Sequence, residues 1–526
     1  MPSPRDNKLC TADEAAALVK TGDTIASGGF VGACHPEALS SALERRFRKT
    51  GQPRELTVVY AAGQGDGKRR GANHFAADGM LQRVIGGHWG LAPALGKLAL
   101  EGKIEAYNFP QGVICQLFRD IAAGRPGCIT HIGLQTFVDP LLDGGRLNSA
   151  TPQGLVERVE LGGKTWLWYK AFPITVGFLR ATGADPIGNL IMNREAIFGE
   201  GLAIAQAVHN SGGIVIAQVS ELLATPIEPQ QVVVPGVLID RIVQSQTHEH
   251  DQTFAEAYNW RYCTARPAEE TLGEHLEPME LNERRIICAR ACREVPENGL
   301  VNLGIGMPEG IARVAAEQGI LSKFTLTVES GPIGGIPAGG LSFGASAHPE
   351  AVVGQPDQFD LYDGGGLDYA ALGAAQIDAR GNVNVSKFGS RLPGIGGFVN
   401  ISQTAKVLVF CGTFTAVGLR ITVADGQLRI LQEGKTRKFV QAVEQMSYNA
   451  GYAVARGQRV LYITERAVFA LTAEGLELTE VAPGIDIQSQ ILELMDFTPI
   501  LGNPKRMAAE LFCEQRPTSR STNRYP

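Results

Sequence analysis

The segment Ala184-Asp-Pro-Ile-Gly-Asn-Leu190 returns later in the chain as Ile377-Asp-Ala-Arg-Gly-Asn-Val383. Two further echoes keep the same order. Pro36-Glu37, after a glycine-rich strand end, is matched by Pro308-Glu309 after Gly304-Ile-Gly306. The run Leu56 to Gly63 is matched in strand and turn character by Leu326 to Gly331. At 526 residues the chain also exceeds what one hydrophobic core supports. One α/β unit that occurs twice predicts two large domains, each folded around its own core.

The unit shows its class through alternation. Thr11-Ala-Asp-Glu14 before an alanine-rich run is a capping box that opens a helix, with Gly22 near its C-terminal end. A strand ending at Gly28-Gly29 should follow. Leu56-Thr-Val-Val-Tyr60 and Gly213-Ile-Val-Ile-Ala-Gln-Val219 are β-branched runs bounded by glycine, and helical patterns such as Pro36 to Phe47 lie between such runs. This alternation predicts a mainly parallel sheet in each domain. Patterning is weakest from Thr264 to Glu280, where charge and proline occur without an apolar period. The expected division is an N-terminal domain at 1–268, a linker at 269–281, a second domain at 282–515 and a frayed polar tail at 516–526.

Charge excludes some partners. The net charge is −6 with interleaved signs, unlike the basic footprint of a nucleic-acid binder, so anionic ligands must be met locally. No stretch reaches the ~18 uninterrupted apolar residues of a membrane span, and Met1 to Lys8 lacks the apolar run of a secretory signal. The expectation is a cytoplasmic protein without a membrane partner. The nine cysteines form no Cys-x-x-Cys pair and read as reduced thiols; Cys288 and Cys292 are too few ligands for a zinc site.

The 63 glycines are many for a chain without collagen-like periodicity, and several cluster where chemistry is expected. In Thr325-Leu-Thr-Val-Glu-Ser-Gly-Pro-Ile-Gly-Gly335 a β-branched strand runs straight into a carboxylate and then into small residues. The carboxyl end of a strand is the ligand-binding edge of an open α/β sheet. Aligning the repeat puts Ala61 where the second half has Glu329, so only one half carries the acid. That asymmetry favours one active site per chain. A second cluster, Leu392-Pro-Gly-Ile-Gly-Gly-Phe398, can point bare N–H groups at an oxyanion, although a tight turn between strands would look the same. A third, Asn302-Leu-Gly-Ile-Gly-Met-Pro-Glu-Gly310, opens a helix whose N-terminus suits phosphate. Its Gly-x-Gly-x-x-x-Gly spacing is one residue off the dinucleotide fingerprint, so a dinucleotide-dependent oxidoreductase is a competing reading, as is a non-catalytic acyl-CoA-binding protein. His248-Glu-His250 lacks zincin spacing, and all nine histidines read as structural or exposed. Lys164 to Lys170, with Trp166, Trp168 and Tyr169, reads as a packed strand.

Together these motifs resemble the family I coenzyme A transferases, the group of acetate, propionate and 3-oxoacid CoA-transferases. The resemblance spans nearly the whole chain, through Gly28 to Gly32 with Pro36-Glu37, Phe109-Pro-Gln-Gly112, Asp185 to Asn189, Val328-Glu-Ser-Gly331 and Gly394-Ile-Gly-Gly-Phe398. It implies two tandem open α/β domains with the site between them, and a fused chain holding both homologous halves. It places the nucleophile on Glu329, the oxyanion glycines on Gly396 and Gly397, and a carbonyl-facing amide on Gln111. Gly304, Gly306, Gly394 and Gly397 are then expected to help hold coenzyme A. Ala38 stands where some 3-oxoacid members have asparagine, which points away from 3-oxoacids and toward the acetate and propionate type. The reaction implied is ping-pong transfer of CoA from a short-chain acyl-CoA to a free carboxylate, without metal or nicotinamide. Small residues from Gly334 to Gly340 and Phe343-Gly344 point to a small acyl pocket, although glycines there serve backbone conformation equally well. Relatives of this kind assemble, so a homodimer or homotetramer is expected.

Overall fold

The computed structural model describes residues 3–513; the tail from 516 to 526 therefore lies outside the described residues, as does its expected fraying. Helix α1, Ala12–Ala17, opens with the expected capping box, the Thr11 side chain accepting from the Glu14 N–H. Seven strands then form the main path of an eight-stranded first sheet, β1 Thr24–Ser27, β2 Leu56–Tyr60, β3 Leu81–Gly86, β4 Glu105–Asn108, β5 Val176–Ala184, β6 Ile214–Leu222 and β7 Arg241–Gln244, while the short strand Leu190–Ile191 pairs antiparallel to β5 off this path. Their spatial order is β7-β6-β5-β1-β2-β3-β4, and every neighbouring pair is parallel. All residues of β2 and β5 are buried, as expected for parallel strands covered on both faces. Lys164–Lys170 is a strand, in a separate three-stranded sheet.

The second half repeats this plan. Strands β8 Leu300–Leu303, β9 Thr325–Thr327, β10 Tyr369–Gly373, β11 Val407–Cys411 and β12 Arg459–Ile463 lie in the order β9-β8-β10-β11-β12, all parallel. That order is β2-β1-β5-β6-β7 of the first half, strand for strand. Beyond β12 the copies diverge. β13 Ala467–Thr472 and β14 Gly475–Val481 continue the sheet antiparallel, and β15 Ile500–Arg506 pairs parallel to β14. The second sheet is thus mixed where a mainly parallel one was expected, because antiparallel strands rather than helical crossovers extend both edges, Pro332–Ile333 and Ala351–Val352 beyond β9 as well as β13 and β14 beyond β12.

The segment that first revealed the repeat forms the same turn twice. Asp185 Oδ1 accepts the N–H groups of Ile187 and Asn189, both at 2.9 Å, while its Oδ2 accepts the Asn189 amide at 3.0 Å. Asp378 does the same with Arg380, Asn382 and the Asn382 amide, each at 3.0 Å. Gly188 and Gly381 both hold φ +88°, the left-handed conformation that a side chain resists. Each aspartate is buried, so Asp378→Ala strands donors in the interior and should lower stability by about 2–3 kcal/mol, read as a lower urea midpoint.

The halves meet at the carboxyl ends of their sheets. Helix α2, Gln111–Ala122, in the first half lies against the loop before helix α3, Phe398–Thr404, in the second. The Gln111 N–H donates to the Gly396 carbonyl at 2.9 Å, and the Gly112 N–H to Asn400 Oδ1 at 3.2 Å. Trp89 and Gly90 N–H both donate to the Pro393 carbonyl, at 2.7 and 2.9 Å. Asn400 in turn donates to the Asp363 carboxylate, which burial pushes up to about 7.

Candidate active site

A cavity of about 590 Å³ lies at this junction. Its wall is drawn from strand ends and the loops that follow them, where open α/β sheets bind ligands. From the second half come Gly304 and Ile305 after β8, Glu329 after β9 and Gly373 to Ala375 around the end of β10; the first half contributes Phe30, Val31, Gly63, His88, Leu91 and Gln111. Ligand pockets of ordinary proteins fall in this size range.

Glu329 is 9% exposed and is the one carboxylate among the residues lining the cavity. Burial pushes its carboxyl above the ordinary 4.5, while its own N–H and the Asn302 side chain draw it partly back. Asn302 is held by β8 beside β9, in register with Thr327, and donates weakly to the Thr327 carbonyl at 3.3 Å. Its Oδ1 has no partner among the described residues. Gln111 is 2% exposed, and its Nε2 is buried without an acceptor among them. Fixing the first residue of α2 against Gly396 aims this amide at the cavity rather than at the helix.

The glycine loop is only partly as expected. Gly396 and Gly397 line the cavity with Gln111 and Glu329, and a Cβ on Gly397 would lie 3.5 Å from Glu329 Cγ. The Gly396 N–H, however, is not bare: it donates to the Gly87 carbonyl at 2.7 Å, and the neighbouring Ile395 N–H donates to the same oxygen at 3.0 Å. Only the Gly397 N–H lacks an acceptor among the described residues. Gly396 instead shapes the loop, at φ +52°.

The expected coenzyme glycines also separate. Gly394 lines the cavity, but it is packed on Trp89, where a Cβ would lie 2.8 Å from the indole Cδ1. Gly304 lines it while giving its N–H to the Ala371 carbonyl at 2.8 Å. Gly306 is not part of the wall; its carbonyl accepts from Arg284 at 2.6 Å. The helix that follows starts at Gly310 behind a single 3₁₀ turn carrying Glu309, which lies 3.5 Å from Arg284. Glu309 makes no side-chain capping bond to this helix, and its negative charge close to the helix start disfavours the phosphate that was expected there.

His88, read from the sequence as structural or exposed, is partly buried and lines the cavity. The acyl space is not walled by small residues alone, since Phe30, Phe343, Phe388 and Phe398 line it and, of Gly334 to Gly340, only Gly340 does. The sequence also holds a Gly-x-Ser-x-Gly spacing, at Gly340-Leu-Ser-Phe-Gly344. It is no nucleophile elbow, for Ser342 is buried in a 3₁₀ turn, donating to Glu256 at 2.7 Å and pairing with Thr253 at 2.9 Å.

A model of the coenzyme A transferase family matches residues 10–245. A caffeate CoA-transferase of Acetobacterium woodii is 41% identical over 515 residues, 97% of this chain and 98% of that protein. The chain therefore belongs to the coenzyme A transferase family and is a CoA-transferase, an enzyme that takes coenzyme A as its acyl-CoA co-substrate and carboxylates as acceptors. Among its individual relatives, the acetate CoA-transferase YdiF of Escherichia coli O157:H7 is 41% identical over 487 residues, 92% of this chain and 90% of that one. The crystal structure of YdiF as a thioester complex with CoA has a TM-score of 0.90 at 38% identity and covers 97% of each chain. The alpha subunit of an Escherichia coli K12 acetate CoA-transferase is 29% identical over 241 residues, 45% of this chain but 97% of that subunit. Half of this chain corresponds in length to a whole subunit, consistent with the repeat.

Proposed function

We propose that this enzyme moves CoA between short monocarboxylic acids of the acetate, propionate and butyrate class through a thioester on Glu329. The observation that carries the reading is the placement of the cavity's one carboxylate beside two unclaimed donors, the Gly397 N–H and Gln111 Nε2. Glu329 attacks the acyl-CoA carbonyl, and the tetrahedral intermediate expels CoA thiolate to leave an acyl-glutamyl anhydride. The thiolate then attacks the glutamyl carbonyl, releasing the first acid and leaving glutamyl-CoA. The incoming carboxylate reverses the sequence. Each tetrahedral oxyanion is met by the two donors, for which one well-placed hydrogen bond is worth about 3 kcal/mol. Gly304 and Gly394 border the coenzyme's path by allowing close approach. Aromatic acids are a second reading, favoured by the phenylalanines in the wall.

Two supporting assignments follow. The domain boundary falls in the linker 269–281, between the last strand of the first sheet at Gln244 and the helix Glu283–Cys292. The chain assembles as a homodimer or homotetramer in the cytoplasm, the compartment being supported by nine unpaired cysteines. No described helix is long and apolar enough to cross a membrane. Light scattering tests the assembly.

The test of the reaction is isotope exchange. Labelled acetate should enter acetyl-CoA with parallel-line initial-rate kinetics; CoA binding without exchange would leave only an acyl-CoA-binding protein. The pH dependence has a definite sign. Since burial raises the folded-state pKa of Glu329, the attacking carboxylate is lost as pH falls through a value above 4.5, so the acid limb of kcat/KM should lie above 4.5. The stability term runs oppositely: Glu329's contribution is fully present below 4.5 and is lost as pH rises through its raised value. Glu329→Gln should therefore raise the melting temperature more at pH 7 than at pH 5.

A further inference from the structure

His88 follows β3 in the Gly86-Gly-His-Trp-Gly90 segment, and its imidazole is built into the cavity wall by glycines on either side. A Cβ on Gly63 would lie 2.6 Å from His88 Nδ1, and one on Gly90 would lie 3.1 Å from His88 Cε1. Either side chain would displace the ring. The segment is fixed to the second half on both flanks, through Gly87 accepting from Ile395 and Gly396 and through Trp89 and Gly90 donating to Pro393. The ring edge at Cδ2 lies 3.9 Å, and Gln111 Oε1 3.7 Å, from the Cβ position of Gly396, whose neighbour Gly397 abuts Glu329. Three polar side chains thus converge on one two-residue stretch.

The ring's hydrogen bonding is incomplete. Nδ1 is buried against Gly63 without a partner, and Nε2 has no protein partner among the described residues either. An Nδ1–H would be an orphan donor, so the tautomer protonated on Nε2 is favoured, with its N–H on the edge away from Gly63. We propose that His88 is a further catalytic residue, a neutral imidazole whose Nε2–H donates to the acyl oxygen while Glu329 attacks. No proton changes hands in this role; the hydrogen bond strengthens as the carbonyl becomes an oxyanion, alongside the Gly397 N–H and Gln111. Burial alone, with no charged neighbour contributing, lowers the imidazole to about 4 and keeps it uncharged at neutral pH. A charged ring is not required, since a neutral imidazole polarises a carbonyl effectively.

The inference rests on the Glu329 reading, and the test separates the two. Wild type, His88→Ala and His88→Gln are compared for kcat and KM, for melting temperature, and for formation of the Glu329 thioester from acyl-CoA alone. Expected are a roughly 10²-fold lower kcat in His88→Ala with little change in KM or melting temperature, recovery of about tenfold or more in His88→Gln, whose amide restores a donor, and no wild-type inflection near pH 6.5. Wild-type kcat in His88→Ala overturns the role. So does equal loss in both variants with lowered melting temperatures, which would make the residue structural, or an inflection near 6.5 that His88→Gln abolishes. Failure of wild type itself to label Glu329 would instead overturn the Glu329 mechanism.

Discussion

Glu329→Gln should lower turnover by at least about 10⁴-fold while the protein folds and binds acyl-CoA as before, the scale expected when a covalent nucleophile is removed. The substitution keeps volume and hydrogen-bonding capacity but leaves no anion to attack the thioester. Glu329→Asp keeps the anion and withdraws it by one methylene, which geometry alone should make a loss of about 10²-fold or more. The contrast matters because Glu329 also destabilises. Its carboxyl is buried with Asn302 beside it and lacks a cation in the cavity lining, so the inactive amide variant should be the more stable protein at neutral pH. Steady-state kinetics and thermal unfolding on the same preparations test both statements. A variant that is stable, binds acyl-CoA and retains wild-type turnover would remove the nucleophile from the account.

Gly112→Val should have the second-largest effect, and through structure rather than chemistry. A Cβ at this position would lie 2.4 Å from Phe359 Cδ1 and 2.5 Å from Asn400 Nδ2, both in the other half of the chain. Neither can withdraw freely, since Phe359 is fully buried and Asn400 is tied to Asp363 at 2.8 Å. The halves must part at the point where Gln111 is bonded to Gly396, so overpacking should lower stability by about 1–3 kcal/mol and misplacement should lower kcat/KM by about 10²-fold. Gly96→Ala is the control. It lies within the helix Pro93–Leu100 with nothing within 4 Å of its Cβ position, and should leave activity unchanged while stabilising by about 0.5–1 kcal/mol. Equal behaviour of the two variants would show that the junction is not what positions the site.

What the sequence made legible was what local pattern encodes. The Asp-x-x-Gly-Asn turns could be found because a carboxylate that caps its own following N–H groups leaves a signature within five residues, and the structure repeats it at Asp185 and Asp378. Glu329 was legible because a strand running into an acid and then glycines is also a local signal, sharpened by Ala61 in the other copy. The failures are long-range. Nothing near Gly396 announces that its N–H is taken by Gly87, 309 residues earlier by chain but adjacent in space. His88 was passed over because a lone histidine has no spacing to read; the signal was the glycine on each side in Gly86-Gly-His-Trp-Gly90, which becomes meaningful only when Gly63 is known to pack on the ring. The far end of the second sheet, β13 to β15, was unseen because the first half contains no copy of it.

The central claim is that a thioester forms on Glu329. Incubating the enzyme with acyl-CoA alone, trapping with hydroxylamine or borohydride, and mapping the modified peptide by mass spectrometry tests it most directly. The account predicts a hydroxamate or an alcohol at Glu329 and at no other carboxylate; label at a different residue, or turnover with no trappable label, would contradict it.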